Sequence, residues 1–400
     1  MSRHAPGLAE ERRNTTILAT CQALLLSVNA TVVALNGLAG YQLATDKSLA
    51  TLPVTCWVLG GAMATFPASF LMKRVGRRGG FTVGASIGLI GTATSVTALW
   101  MGSFWLLCLG TLTFGMCNGF GQYFRFAAAE AAGPEFRSKA ISLVLAGGLV
   151  GGFVGPSLST WTVGLHSVRY LASYASTSCF LVLMLGMVQA LRLPEALPSE
   201  SSGPSRPLLE IARQPAYTVA VISAAIGYGV MNFLMTATPL AMGFCGHPYG
   251  AAAGVIGWHI VGMYAPSLVT GGLIRRFGTL PIMLAGAALV FCCVGIALTG
   301  ITVAHFWWSL LLLGVGWNCL YVGATTLITT TYEPAEKAKA QGANEIAIFL
   351  TMVTSSYSSG LLLNHGGWTV INQAALPFVT IATVLLLWLM SRERRAVAAA

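Results

Sequence analysis

The chain has 400 residues, of which 55% are hydrophobic and only 8% charged, and its formal net charge is +10. A soluble domain carries about 25% charged residues, so this composition cannot cover a water-facing surface of ordinary size. The apolar runs mostly reach twenty residues or more, enough to cross a hydrocarbon core of about 30 Å as helix; barrel strands would alternate in polarity over about ten residues.

The N-terminal tail carries Arg3, Arg12 and Arg13 and leads into an apolar run too long for a cleavable signal peptide. Spans are predicted at 14–38, 50–72, 80–100, 104–128, 138–162 and 170–191. The polar stretch 192–213, rich in proline and serine, reads as a linker. Six more spans follow at 217–242, 250–273, 281–300, 306–331, 342–364 and 373–391. The expected fold is therefore an all-α membrane protein with twelve transmembrane helices in two six-helix bundles, 1–191 and 214–400.

Nucleic acid is not the expected partner of the positive charge, because the basic residues sit in short loops between apolar runs. With both termini inside, the inner loops hold Lys73, Arg74, Arg77 and Arg78, then Arg137 and Lys139, then Arg192, Arg206 and Arg213. In the second half they hold Arg275, Arg276, Lys337 and Lys339, and the tail adds Arg392, Arg394 and Arg395. Only Lys47 and Arg169 fall outside, as the positive-inside rule requires. The halves also repeat: Leu71-Met72-Lys73-Arg74-Val75-Gly76 matches Leu273-Ile274-Arg275-Arg276-Phe277-Gly278, and the segment from Pro134 to Ala140 matches that from Pro334 to Ala340. Duplicated transporter halves of this kind place their substrate site near the bilayer midplane.

No carboxylate falls near the middle of any span, and the single Asp, Asp46, lies outside. Hard divalent ions, which want oxygen ligands, have no home here. Nine cysteines are scattered without a CxxC pair, which implies neither a disulfide framework nor a zinc ribbon. Met231 and Met235 lie at i, i+4 in span seven, and His259 and Met263 at i, i+4 in span eight. Each pair shares one helix face, and antiparallel spans would bring the pairs to similar depth. Three thioethers and an imidazole suit Cu(I); a methionine pair in an apolar helix is also ordinary packing material. Met242, Cys245 and His247 follow at the outer mouth, either as a metal-capture cluster or as residues that a loop and helix end tolerate. Arg125 and Glu130 near the inner end of span four read as a gating or structural pair, with Glu345 as a similar residue in the second half and Lys73 and Arg74 as further candidates for gating contacts. Asn118, Gln122, Asn232 and Asn318 either line a cavity or bond neighbouring helices. No nucleophile–base set, phosphate loop or dinucleotide fingerprint appears, so neither an enzyme nor an ATP-driven pump is expected.

The basic turn Lys73-Arg74-Val75-Gly76-Arg77-Arg78 resembles the loop between helices two and three of the major facilitator superfamily, with Lys73 where that signature has an Asp. Within the superfamily, Met231xxxMet235, His259xxxMet263, the segment Trp258 to Ser267 and the segment Arg125 to Glu130 are similar to the CcoA-type copper importers. The resemblance implies secondary-active copper import across the bacterial inner membrane, with Met231, Met235, His259 and Met263 as the metal positions. It also implies a role in haem–copper oxidase assembly. Copper would then be a transported substrate rather than a cofactor. Membrane lipid and a periplasmic or cytoplasmic copper chaperone would be the expected partners. A related group of the same branch is associated with riboflavin, which gives an organic-solute carrier as the alternative. A non-transporting sensor has no soluble domain in this sequence to support it.

Overall fold

The structure is a computed structural model and describes residues 8–133, 136–193 and 206–399. Most of the predicted linker, Pro134 and the tail residue Arg3 lie outside the described residues. In chain order the helices are α1 (Leu8–Leu43), α2 (Leu52–Met101), α3 (Phe104–Gly121), α4 (Phe124–Ala131), α5 (Arg137–Thr162), α6 (Leu171–Gln189) and the short α7 (Leu208–Ala212). They continue as α8 (Pro215–Phe244), α9 (Tyr249–Tyr264), α10 (Ser267–Phe277), α11 (Thr279–Thr299), α12 (Val303–Thr329) and α13 (Lys337–Ala399).

Two of these helices are longer than any membrane is thick. The 50 residues of α2 are interrupted at Gly76, with φ 74° and ψ 167°, and the 63 residues of α13 at Gly367, with φ 69°. An L side chain is strained at such φ values, so glycine is what permits each break. Ten apolar helical stretches among the described residues are long enough to cross a membrane. Two of them hold a pair of spans, on either side of Gly76 and of Gly367, which makes the twelve. The predicted loop at 73–79 is thus a single non-helical residue between two helical arms. The duplicated turn repeats the device: Gly278 has φ 89° and ψ 160°, close to the geometry of Gly76.

By packing, Met1–Pro198 with Gly246–Ile260 form one unit, and Ser199–Cys245 with Val261–Ala400 the other. In lipid, apolar side chains gain little by leaving the surroundings, so helices associate through close backbone approach and interhelical hydrogen bonds. The first unit shows this at the α1–α5 seam. A Cβ added at Gly147, Gly151 or Gly155 would lie 2.2, 2.7 and 2.2 Å from the carbonyl oxygens of Ala19, Ala23 and Ser27. Both sets advance four residues at a time, so one helix rides in register along the other, and Thr31 Oγ1 donates to Gly155 O at 2.9 Å. The second unit has a reciprocal contact, in which Cβ atoms at Gly286 and Gly316 would meet each other's carbonyl oxygens at 2.7 and 2.8 Å.

Asparagines make the polar staples. Asn29 Nδ2 donates to Asn118 Oδ1 at 2.9 Å, tying α1 to α3. Asn318 stands 200 positions after Asn118, the same offset as Pro334 after Pro134, but its partners differ. Its Nδ2 donates to Met263 O at 2.7 Å and Ser267 Oγ at 2.6 Å, and its Oδ1 accepts from Thr270 Oγ1 at 2.7 Å. These three bonds hold the break between α9 and α10, where Pro266 interrupts the helix.

Candidate functional site

All four predicted metal positions are buried inside helices. Met231 and Met235 lie on α8, on the flank that also carries Gly227 and Tyr228, three to four residues earlier. That flank meets α12: a Cβ at Gly227 would touch Leu320 Cβ at 3.4 Å, and the Tyr228 ring packs on Trp317 and Tyr321. Met263 lies at the end of α9, with its carbonyl held by Asn318. His259 falls in the first unit, whereas Met231, Met235 and Met263 belong to the second. Among the described residues no three His, Cys, Asp or Glu side chains gather as a metal cluster.

The predicted capture set is differently placed. Met242 is fully buried within α8, while Cys245 and His247 are half-buried beyond its end. Burial pushes the Cys245 thiol above its ordinary range, which disfavours the thiolate that binds metal.

The gating pair expected between Arg125 and Glu130 is not formed. Five residues of helix turn one side chain about 140° from the other, so the two face apart. Glu130 instead takes both ends of Arg77, with Nη2 to Oε1 at 2.6 Å and Nε to Oε2 at 3.0 Å. The same guanidinium lies 5.4 Å from the Tyr123 ring, so the second arm of α2 is clamped to α4. Arg125 packs on the Phe126 ring at 4.9 Å. Lys73 and Arg74 are exposed, and Glu345 is half-buried on α13.

A second ion pair, unpredicted, pins the C-terminal part of the predicted linker. Glu336 accepts from Arg206 Nε at 2.8 Å, Nη2 at 2.7 Å and backbone N at 2.8 Å. Glu333 N adds a bond at 3.0 Å. The Arg206 guanidinium, then the backbone donors, hold the Glu336 carboxyl down at about 2.

The densest aromatic cluster lies wholly in the second unit. Trp317 and Tyr321 of α12 stack nearly parallel, 12° apart with centroids at 5.1 Å. Tyr228 of α8 stands edge-on to both at 4.9 Å, and Tyr264 of α9 approaches Trp317 at 6.4 Å. Three helices thus present one indole and three phenols to each other, with only Trp317 fully buried. Trp317 and Tyr321 are themselves an i, i+4 pair, so the spacing rule that selects Met231 and Met235 also selects them.

Twelve apolar helical spans with a repeated basic turn at Gly76 and Gly278 fit the build of a membrane carrier. The chain belongs to the major facilitator superfamily: the family model described as Major Facilitator Superfamily matches residues 16–332. It is 40% identical over 379 residues to the riboflavin transporter RfnT of Brucella anthropi, covering 94% of this chain and 95% of that one. It is 29% identical over 348 residues to the uncharacterized MFS-type transporter YdeG of Bacillus subtilis, covering 83% of this chain and 81% of that one. Among solved structures, a point mutant of the nucleoside transporter NupG superimposes with a TM-score of 0.72 at 13% identity, covering 94% of this chain and 99% of the other. A bacterial homolog of the human lysosomal transporter Spinster gives 0.71 at 15% identity, covering 98% of both chains. The likeness to both solved structures is one of fold.

Proposed function

We propose that this protein is a secondary transporter that carries a flat heteroaromatic solute of the riboflavin type across the bacterial inner membrane by alternating access, with both termini in the cytoplasm. The aromatic cluster of Tyr228, Tyr264, Trp317 and Tyr321 carries this reading. A flat π-system gains most from offset-stacked and edge-on aromatic neighbours, and these four rings all fall in the second packing unit. The 40% identity to a riboflavin transporter over nearly the whole chain supports it. The charge bias of the loops supports the orientation.

Copper import remains as a second reading on one observation: Met231, Met235 and Met263 bury three thioethers in a unit whose described spans carry few carboxylates. A soft ligand set of that kind suits Cu(I), and a copper chaperone would then be the expected partner.

Uptake of radiolabelled riboflavin and of radioactive copper in cells with and without the protein separates the two. Riboflavin uptake is expected to depend on the protein, with KM raised about tenfold in Trp317→Ala as a stacking partner is lost. Met231→Leu and Met235→Leu nearly conserve volume and should leave riboflavin uptake unchanged. Protein-dependent copper uptake abolished by those Met→Leu changes, with no riboflavin uptake, would overturn the proposal in favour of copper.

A further inference from the structure

The first arm of α2, before Gly76, and helix α3 pack at very short range. A Cβ added at Gly60 would lie 2.0 Å from Leu112 O, and one added at Gly115 would lie 2.0 Å from Trp57 O. Further along, a Cβ at Gly119 would meet Gly61 O at 2.8 Å, and Tyr123 Oη donates to Thr65 O at 2.8 Å. Residue numbers rise together on both sides of the seam, so the two helices run parallel. Cys56 stands one helical turn before Gly60, and Cys108 one turn before Leu112.

The two cysteines are level. Each lies four residues past the start of its helix, Leu52 for α2 and Phe104 for α3, which is about 6 Å in from the end at 1.5 Å per residue. Their thiols are hydrogen-bonding neighbours. Both pack beneath the end of α1 and the loop after it, among Ala44, Leu49 and Leu52. Both are free thiols, Cys56 half-buried and Cys108 buried. A close-packed seam needs only small side chains there, and cysteine is the one that adds chemistry. Asp46 and Lys47 lie in the same loop, at the end that faces the periplasm in the orientation proposed above.

We propose that Cys56 and Cys108 form a disulfide that staples the outer ends of spans two and four in the oxidising periplasm. The inference rests on the proposed orientation and is independent of the solute carried. Disulfides form and persist in that compartment and not in the cytosol. A bridge needs Cα atoms within about 7 Å of each other. Ordinary helix pairs have axes about 8–10 Å apart, and the backbone contact at Gly60 and Leu112 brings this pair closer. The oxidant is an external disulfide, by thiol–disulfide exchange. Cys56, the more accessible thiol, loses its proton to water, and its sulfur attacks one sulfur of that disulfide. The external S–S bond breaks, one thiolate leaves, and a mixed disulfide remains on Cys56. Cys108 then loses its proton and attacks Cys56 Sγ, releasing the second thiolate. The two protein thiols give up two electrons, and the external disulfide becomes two thiols by taking up the two protons.

The test dissolves membranes in denaturant with N-ethylmaleimide, which blocks every free thiol of the full chain at once. After the reagent is removed, the chain is treated with or without dithiothreitol and then with a polyethylene glycol maleimide. The wild type should gain two polymer chains with reductant and none without. Cys56→Ser and Cys108→Ser should each gain none. Peptide mass spectrometry of the blocked wild type needs no variant, and should find the segments around Cys56 and Cys108 joined, lighter by two hydrogens than their sum. An impermeant maleimide on Thr45→Cys reports the orientation separately. If Thr45→Cys is labelled in intact cells and both wild-type cysteines carry N-ethylmaleimide, the bridge is overturned and the pair is packing alone, with transport and orientation standing. A reductant-dependent gain that persists in both single variants would place the bridge elsewhere and overturn the pairing. Labelling of Thr45→Cys only in permeabilised cells would overturn the orientation and the bridge with it.

Discussion

At the residue scale, the consequential side chains are those whose partners cannot be read along the chain. Proximity in sequence pairs Glu130 with Arg125, yet its bidentate partner is Arg77, 53 residues away. Arg77→Glu should destabilise the protein by about 1 kcal/mol, the ordinary worth of a partly exposed ion pair. The double reversal with Glu130→Arg should recover most of that loss in thermal unfolding of the purified protein. Failure of the reversal to recover anything would show that Tyr123 and packing, not the charge pair, hold the clamp. Glu336 gives a pH prediction. Its carboxyl ordinarily titrates near 4.5 and in the folded protein near 2. Folding therefore favours the charged form, and the stabilisation is fully present above about 4.5 and lost as pH falls toward 2. The melting-temperature gap between the wild type and Glu336→Gln should be widest above about pH 5 and should close toward about pH 2. A gap that stays constant across that range would rule out titration of Glu336 as its source.

At the element scale, the spans are legible because every one has to satisfy its own backbone hydrogen bonds in hydrocarbon, which leaves helix as the only open structure. The breaks inside them are less legible. Glycines fill this sequence, and only Gly76, Gly102, Gly246, Gly278 and Gly367 adopt positive φ among the described residues; most of the others serve close packing. Gly151 is of that kind, with Ala23 O and Leu26 Cβ 2.7 Å from where its Cβ would stand. Gly186 on α6 has nothing within 4 Å. Gly151→Leu should therefore cost about 2 kcal/mol or more by overpacking the α1–α5 seam, seen as a lowered unfolding temperature. Gly186→Leu should be near neutral. Equal effects of the two would refute the seam as the reason for glycine at 151.

At the scale of the whole molecule, duplication is what the sequence displays most plainly, in the paired basic turns and in the asparagines 200 positions apart. The two turns have the same backbone geometry at Gly76 and Gly278, and both Lys73 and Arg275 are exposed. A membrane-impermeant maleimide should therefore label Lys73→Cys and Arg275→Cys only in permeabilised cells, and Thr45→Cys in intact cells, measured against the wild-type cysteine background. Labelling of the first two from opposite sides would break the twelve-span topology. Composition and run length alone determined that this chain is a bundle of membrane helices, because an open backbone in lipid must bond to itself. The loop charges and the repeats pointed to two halves and an orientation. Side-chain partnership was decided only by tertiary structure. Spacing along one helix tells which residues share a face, as with Met231 and Met235, and says nothing of what that face meets. Asn118 and Asn318 hold equivalent places in the repeat, yet one bonds α1 and the other the α9–α10 break. Trp317, Tyr321 and Tyr228 form one aromatic cluster because α8 and α12 meet there, and such a meeting is set by packing between segments far apart in the chain.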